Sequence, residues 1–362
     1  MIRRPRRSPA SSTRERIGMK SLVCCVLFLL AAVARPGRAA EGEALTLQNL
    51  VNRPDLWPPS VTLGRDISFS SGKSVKNGQV VKVVQFDGAQ VLVDAGNGLV
   101  FDVVAADCDL VGAANKIWTA LTPAQRAVDA KKLLEDASLW PERVKCAAEF
   151  GLDDGTRLAP DTEYEFLSYD REGVKLYSRE HSTRLLADLA QTDLVARARQ
   201  RALIEPDKRP SRIAALLKGK LVDADGKPFA SATIDDAKVY AFYFSASWCG
   251  PCRKFSPSLI EFVNKVAKDN PHLATVLVSN DEKPEDMLAY MKEEKMPWPA
   301  FSLASLRESP ILMGLAANSI PHLVVLDRHG LVLASSLENG QYTSVQRPFQ
   351  ALVKLVEAGK AK

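Results

Sequence analysis

Histidine and aromatic residues are scarce in this chain: four His and 7 % Phe, Trp and Tyr among 362 residues. No stripe of Lys or Arg interleaves with aromatics, so nothing argues for a nucleic-acid surface. The N-terminal half carries no His/Cys cluster, no carboxylate pair and no Gly-rich phosphate loop, and no metal site is expected. Long apolar runs are missing as well. The run Leu22–Ala34 has 13 residues, short of the roughly 20 needed to span a bilayer.

What surrounds that run gives it a meaning. Arg3, Arg4, Arg6, Arg7, Arg14, Arg16 and Lys20 precede it against the single acid Glu15, and Gly37, Arg38, Ala39 and Ala40 follow. A basic segment, a short apolar segment and small residues have the form of a secretory signal, here residues 1–40, with cleavage after Ala39 or Ala40. The alternative is an uncleaved N-terminal tether. Residues 1–39 hold nine Lys/Arg and one acid, so their removal turns the net charge from +5 to about −3. The basic character belongs to the leader, and the expected location is periplasmic or extracellular, with no transmembrane span in the mature chain. Cys24 and Cys25 leave with the leader.

Some 320 remaining residues are enough for two or three cores. An internal repeat divides the first of them. Leu56-Trp57-Pro58 recurs as Leu139-Trp140-Pro141, 83 residues on, and at the same offset Gly72 meets Gly155, Asp87 meets Asp170 and Val91 meets Val174. One residue of slippage then aligns Asp109-Leu110-Val111 with Asp193-Leu194-Val195. We read two tandem β-rich modules, 53–120 and 136–204, each a small SH3-like fold. In the first, 79–86, 90–94 and 99–104 form a meander across Gly-containing turns. In the second, 163–169 and 174–177 are strands. Thr122-Pro123-Ala124-Gln125 has the cap, N1 proline and N3 glutamine of a helix start. The repeated Trp is expected to pack in a core, the alternative being an exposed recognition residue. Cys108 and Cys146 occupy different positions of the repeat; they form either a disulfide bridging the modules or two buried thiols. Residues 205–218 read as a linker.

The chemistry lies beyond it. The apolar run Val239–Phe244 delivers Trp248-Cys249-Gly250-Pro251-Cys252 to the start of a helical pattern. At a helix N-terminus the unpaired N–H groups and the dipole favour a thiolate, and Arg253 and Lys254 add positive charge in the same turn. Cys249 is the expected nucleophile and Cys252 the resolving thiol. Downstream, 274–279 reads as a buried strand, 285–294 as a helix, Pro321 as a strand start, sheet edge or cis bond, 331–334 as the second arm of a hairpin, and 347–358 as a closing amphipathic helix.

From about Gly219 to the C-terminus the chain resembles the thioredoxin superfamily, and within it the tryparedoxin and nucleoredoxin branch. The resemblance rests on Tyr243 to Cys249, on Arg253, Phe255 and Pro257, on Lys295-Met296-Pro297-Trp298 and on Ser319-Ile320-Pro321, and covers about two-fifths of the chain. It implies an α/β thioredoxin fold for 219–362, a cis Pro321 facing the dithiol, and a substrate groove of Trp248, Gly250, Pro251, Ile320 and Pro321. Two positions depart from it. Gly250-Pro251 stands where tryparedoxins carry Pro-Pro, and Tyr243 where thioredoxins place a buried Asp.

The expected activity is dithiol–disulfide exchange that reduces disulfides of proteins or small molecules. No cofactor is expected beyond the Cys249–Cys252 pair, and electrons would come from an external donor such as a membrane thiol relay. A thiol peroxidase needs Thr or Ser three residues before its cysteine, where this chain has Ala246. An adaptor reading makes the modules primary and the dithiol a switch. His322 either tunes Cys249 or faces solvent at a strand edge. Arg253, Lys254 and Tyr243 are further modulators, Glu261 either a proton relay or a solvated helix residue, and Lys295 to Trp298 a packed loop beside the site.

Overall fold

The computed structural model describes residues 2–3, 44–51, 53–96, 98–230, 232–306 and 308–360. The expected leader, residues 1–40, therefore lies outside the described residues, apart from Ile2–Arg3, which pairs in parallel with Arg184 and Leu185. The chain divides into two compact units: one holds 44–130 and 149–158, the other 131–148 and 159–360. Among the described residues no helix is long and apolar enough to cross a membrane.

The repeat is visible as one element order used twice. A 3-10 turn (Pro54–Leu56), a strand (Ser60–Thr62), a hairpin of Ile67–Ser68 with Ser74–Val75, the strands Val80–Phe86, Gln90–Asp94 and Val100–Val104, a 3-10 turn (Ala105–Asp107) and the helix Leu110–Ala120 follow in sequence. The second pass reads Ala137–Leu139, Arg143–Cys146, Phe150–Gly151 with Arg157–Leu158, Thr162–Asp170, Gly173–Ser178, Thr183–Ala187, Leu189–Gln191 and Leu194–Arg201. The sheet strands are antiparallel neighbours in each pass. The sequence pattern finds the meander within a residue at each end but misses the first strand of each pass and Thr183–Ala187, which are short or lack alternation.

The matched residues explain the repeat. Gly72 and Gly155 sit in the short hairpins at φ +84° and +86°, a region other residues enter only at a cost. Thr62 donates its N–H to Asp109 Oδ1 at 2.7 Å, and Lys145 donates to Asp193 Oδ1 at 2.8 Å, so each aspartate ties the start of the closing helix to the first strand. Trp57 donates to the Leu50 carbonyl at 2.8 Å and Trp140 to the Leu133 carbonyl at 2.9 Å. Both indoles are core residues, half-buried and buried respectively. The cysteines lie on opposite partners of one repeated bridge: Leu63 pairs with Cys108, and Cys146 pairs with Thr192. Both are free thiols.

The C-terminal domain is a six-stranded sheet in the order Leu221–Val222, Ala300–Phe301, Leu273–Ser279, Val239–Ser245, His322–Asp327, Val332–Ser335. The two central strands Val239–Ser245 and Leu273–Ser279 are parallel and buried along their whole length, which is why they read as unbroken apolar runs rather than alternation. Alternate residues face opposite layers. Val239, Ala241 and Tyr243 pack under the helices Gly250–Val266 and Gln346–Glu357, while Tyr240, Phe242 and Phe244 face the other side.

That second face corrects the linker. Within 205–218, Pro206–Lys208 is a 3-10 turn and Arg212–Leu217 a helix whose Ile213 and Leu217 are in the sheet's core. Ser211 caps this helix and also donates to the Arg328 carbonyl at 2.8 Å. The domain thus begins near residue 211, ahead of the expected 219; the charged and proline-rich composition hid a short amphipathic helix.

Candidate active site

The strand Val239–Ser245 ends, three residues turn, and Cys249 becomes the N-cap of the helix Gly250–Val266. Cys249 and Cys252 are disulfide-bonded with Cα atoms 5.2 Å apart. The Cys252 N–H points at Cys249 Sγ from 3.2 Å. On reduction that N–H and the helix dipole both favour negative charge on Cys249. Cys249 is 4 % exposed and Cys252 fully buried, whereas Trp248 beside them is 67 % exposed. An attacking thiolate therefore emerges at the edge of a flat indole, with Gly250 and Pro251 exposed on the next turn.

Cys249 and Ile320 are 71 residues apart in sequence, and the Ile320–Pro321 peptide bond is cis. Its loop closes the other side of the dithiol: the Ile320 carbonyl oxygen is 3.8 Å from Cys249 Sγ, and Ile320 packs on Ala246, Cys249 and Cys252. Tyr342 donates its hydroxyl to the Pro321 carbonyl at 2.8 Å and so holds this loop from the side. Nothing in the sequence pattern marks Tyr342.

Beneath Cys252 lies a cluster of hydroxyls in place of an acid. Tyr243 Oη is 3.2 Å from the Cys252 carbonyl and 3.0 Å from Ser256 Oγ. Ser256 Oγ donates to the same carbonyl at 3.0 Å, and Tyr290 Oη bridges Ser256 and Ser245 at 2.8 and 2.9 Å. All four side chains are fully buried. Burial pushes the Tyr243 phenol well above its ordinary range. The cluster fixes the helix start through the Cys252 carbonyl. Ser245, Ser256 and Tyr290 are invisible to motif reading because each is an ordinary residue until the fold stacks them.

One acid is present at the rim. Asp281 accepts from the Ser247 N–H at 3.0 Å, from the Ser247 hydroxyl at 2.7 Å and from the Ser279 hydroxyl at 2.7 Å. It thereby sets the turn that carries Trp248 and Cys249. Its position just past the carboxyl end of a central parallel strand is the signal that could have found it.

The expected modulators fall differently. Arg253 donates to the Ser247 carbonyl at 2.7 Å, pairs with Glu293 and Glu294 at 3.0 and 3.3 Å and stacks on Tyr290. Its charge is matched by carboxylates, so it braces the turn. Lys254 and Glu261 are exposed helix residues. His322 is fully buried, which excludes a solvent-facing role. Strand alternation turns it away from the dithiol helix, against Phe244, and its Nε2 is 2.9 Å from the Leu315 carbonyl. Burial lowers its pKa, keeping it neutral. Met296 and Trp298 are core residues under the dithiol helix layer.

Residues 236–332 match the family model described as Thioredoxin-like. A probable nucleoredoxin 1 of Arabidopsis thaliana is 36 % identical over 121 residues, covering 33 % of this chain and 20 % of that protein. The nucleoredoxin of Xenopus laevis is 31 % identical over 125 residues, covering 34 % and 30 %. The tryparedoxin of Trypanosoma brucei brucei is 40 % identical over 94 residues, covering 25 % and 61 %. The chain thus spans under a third of the length of these nucleoredoxins. The C-terminal domain belongs to the thioredoxin superfamily and is of the tryparedoxin and nucleoredoxin kind, a thioredoxin-like oxidoreductase domain.

Proposed function

We propose that the protein is an exported dithiol–disulfide oxidoreductase that reduces disulfides. The observation carrying this reading is the Cys249–Cys252 pair at a helix N-terminus, opposite the cis Ile320–Pro321 bond and beside exposed Trp248. The Cys249 thiolate attacks one sulfur of a substrate disulfide, forming a mixed disulfide and releasing the other sulfur as a thiolate. Cys252 then attacks Cys249 Sγ, freeing the second substrate thiol and leaving Cys249–Cys252 oxidised. Two electrons pass to the substrate, and an external thiol donor, such as a membrane relay, restores the dithiol. The pair itself carries the electrons without a further cofactor. Trp248, Gly250, Pro251 and Ile320 offer the substrate a shallow, largely apolar groove. The leader supports export, and the two modules, which we read as small SH3-like folds, serve to bind or space.

Equilibration against thiol buffers tests the direction. A potential near −270 mV fits a reductant, whereas one near −120 mV would make the protein a disulfide donor. Cys249→Ser should abolish exchange, and Cys252→Ser should accumulate the mixed disulfide. Partner binding that survives Cys249→Ser, with no exchange by the wild type, would instead favour the adaptor reading.

A further inference from the structure

A cavity of about 750 Å³ lies between the second module and the sheet face turned away from the dithiol helix. That volume is in the range of small-molecule sites, about 300–1,000 Å³. Its walls are mainly apolar: Leu167 and Leu185 on the module side, and Ile213, Ile311, Val324 and Leu326 on the sheet side. The wall helix Pro310–Leu315 runs on toward the cis-proline loop of the dithiol site.

Charge at the lining is unbalanced. Two carboxylates reach it, Glu135 and Asp170, and each is already paired with a lysine there, Lys131 at 3.7 Å and Lys175 at 2.6 Å. Arg171, Arg184 and Arg212 also line the cavity, and none has a carboxylate within ion-pair distance among the described residues. Among the described residues, the Arg184 side chain donates to the Met313 carbonyl, at 2.6 Å. Arg212 is held stiffly, with one N–H on the Phe166 carbonyl at 2.9 Å, another on the His329 carbonyl at 3.4 Å, and its plane against Phe166 and Trp140. Two of a guanidinium's five donors are thus used. Burial lowers its pKa to about 10, so it remains charged at neutral pH. Glu142 and Asp327 act on it only through space, and a partly buried, pre-positioned guanidinium with no carboxylate in ion-pair contact among the described residues is matched by one.

We infer that this cavity binds a single-chain amphiphile bearing one carboxylate, its hydrocarbon body between module and sheet and its head group on Arg212. The site is independent of the redox reading, and its test uses no redox readout. The full chain is titrated calorimetrically with decanoate below its micellar concentration, with decanol as the neutral comparator. Saturable one-to-one binding of decanoate is expected, with decanol at least tenfold weaker. Arg212→Gln should weaken decanoate about tenfold, Arg212→Lys less, and Ile311→Trp, which fills the cavity, should remove binding. If Arg212→Gln fails to fold, half-buried Arg184→Gln carries the charge test and should weaken binding severalfold. No saturable binding, equal affinity for decanoate and decanol, or unchanged affinity in Ile311→Trp would each overturn the proposal.

Discussion

Tyr243 occupies the position where a thioredoxin keeps a buried acid, and its surroundings answer what the replacement does. Its phenol is pushed up by burial and bonded to Ser256 and the Cys252 carbonyl, so it cannot shuttle a proton near neutral pH. Tyr243→Phe should therefore leave the shape of the pH profile of kcat/KM for disulfide reduction unchanged between pH 5 and 9; loss of one limb would show Tyr243 to be the titrating group. Tyr290 has a structural part in the same cluster. Tyr290→Phe deprives Ser245 and Ser256 of a partner and should cost about 1–3 kcal/mol in urea unfolding. His329 supplies a pH dependence far from the dithiol. It is 7 % exposed, and burial, reinforced by Arg328 and Arg201, lowers its pKa from 6.5 to about 4. The unfolded chain binds a proton there between about pH 6.5 and 4 that the folded chain does not. The contribution is full above pH 6.5 and is lost as pH falls through 4, by at most roughly 3 kcal/mol. His329→Asn should flatten the fall in urea midpoint between pH 7 and 4 relative to wild type.

At the scale of elements, the duplicated residues are those that close each module. Asp109 and Asp193 each accept a strand N–H from the start of the closing helix, a charge-assisted bond worth roughly 1.5–3 kcal/mol. Alanine at either position should destabilise its own unit by about that amount, with near-equal effects in the two. The tryptophans differ. Trp140 is 2 % exposed and Trp57 half-buried, so Trp140→Ala should cost about 3–5 kcal/mol and Trp57→Ala clearly less, measured by the same unfolding assay. The active-site turn obeys the same logic. Its conformation is set by Asp281 from one strand end and by Arg253 from the helix, both on Ser247.

The whole molecule is two compact units with separate apolar cores. Calorimetry should resolve two transitions, and reduction of Cys249–Cys252 should move only that of the unit holding 159–360. A single transition, displaced as one by reduction, would contradict this. The tryparedoxin and nucleoredoxin likeness belongs to the C-terminal domain alone, and the repeats account for the preceding half without it.

Much of this was legible in the sequence, where the determinants are local. Unbroken apolar runs mark the doubly covered strands, glycines mark turns, Thr122 and Gln125 mark a helix start that forms as read, and the C-x-x-C after a strand marks the dithiol. These signals survive because each acts within one turn or one strand. The residues under and around the dithiol were not legible. Tyr290 reaches Ser256 across 34 positions and Ser245 across 45, Asp281 reaches Ser247 across 34, and Tyr342 reaches Pro321 across 21, and no spacing announces a contact fixed by strand order. The face on which His322 falls depended likewise on register, where one residue exchanges the two sides of a sheet. The sequence by itself determined where the C-x-x-C pair falls, the repeated element order and the fold of the last domain, because periodicity and capping are short-range. Only the tertiary structure decided that the acid beneath the dithiol is replaced by hydroxyls, that Arg253 braces rather than activates, and that a guanidinium with no ion-pair contact among the described residues lines a cavity, because those follow from which distant side chains are desolvated together.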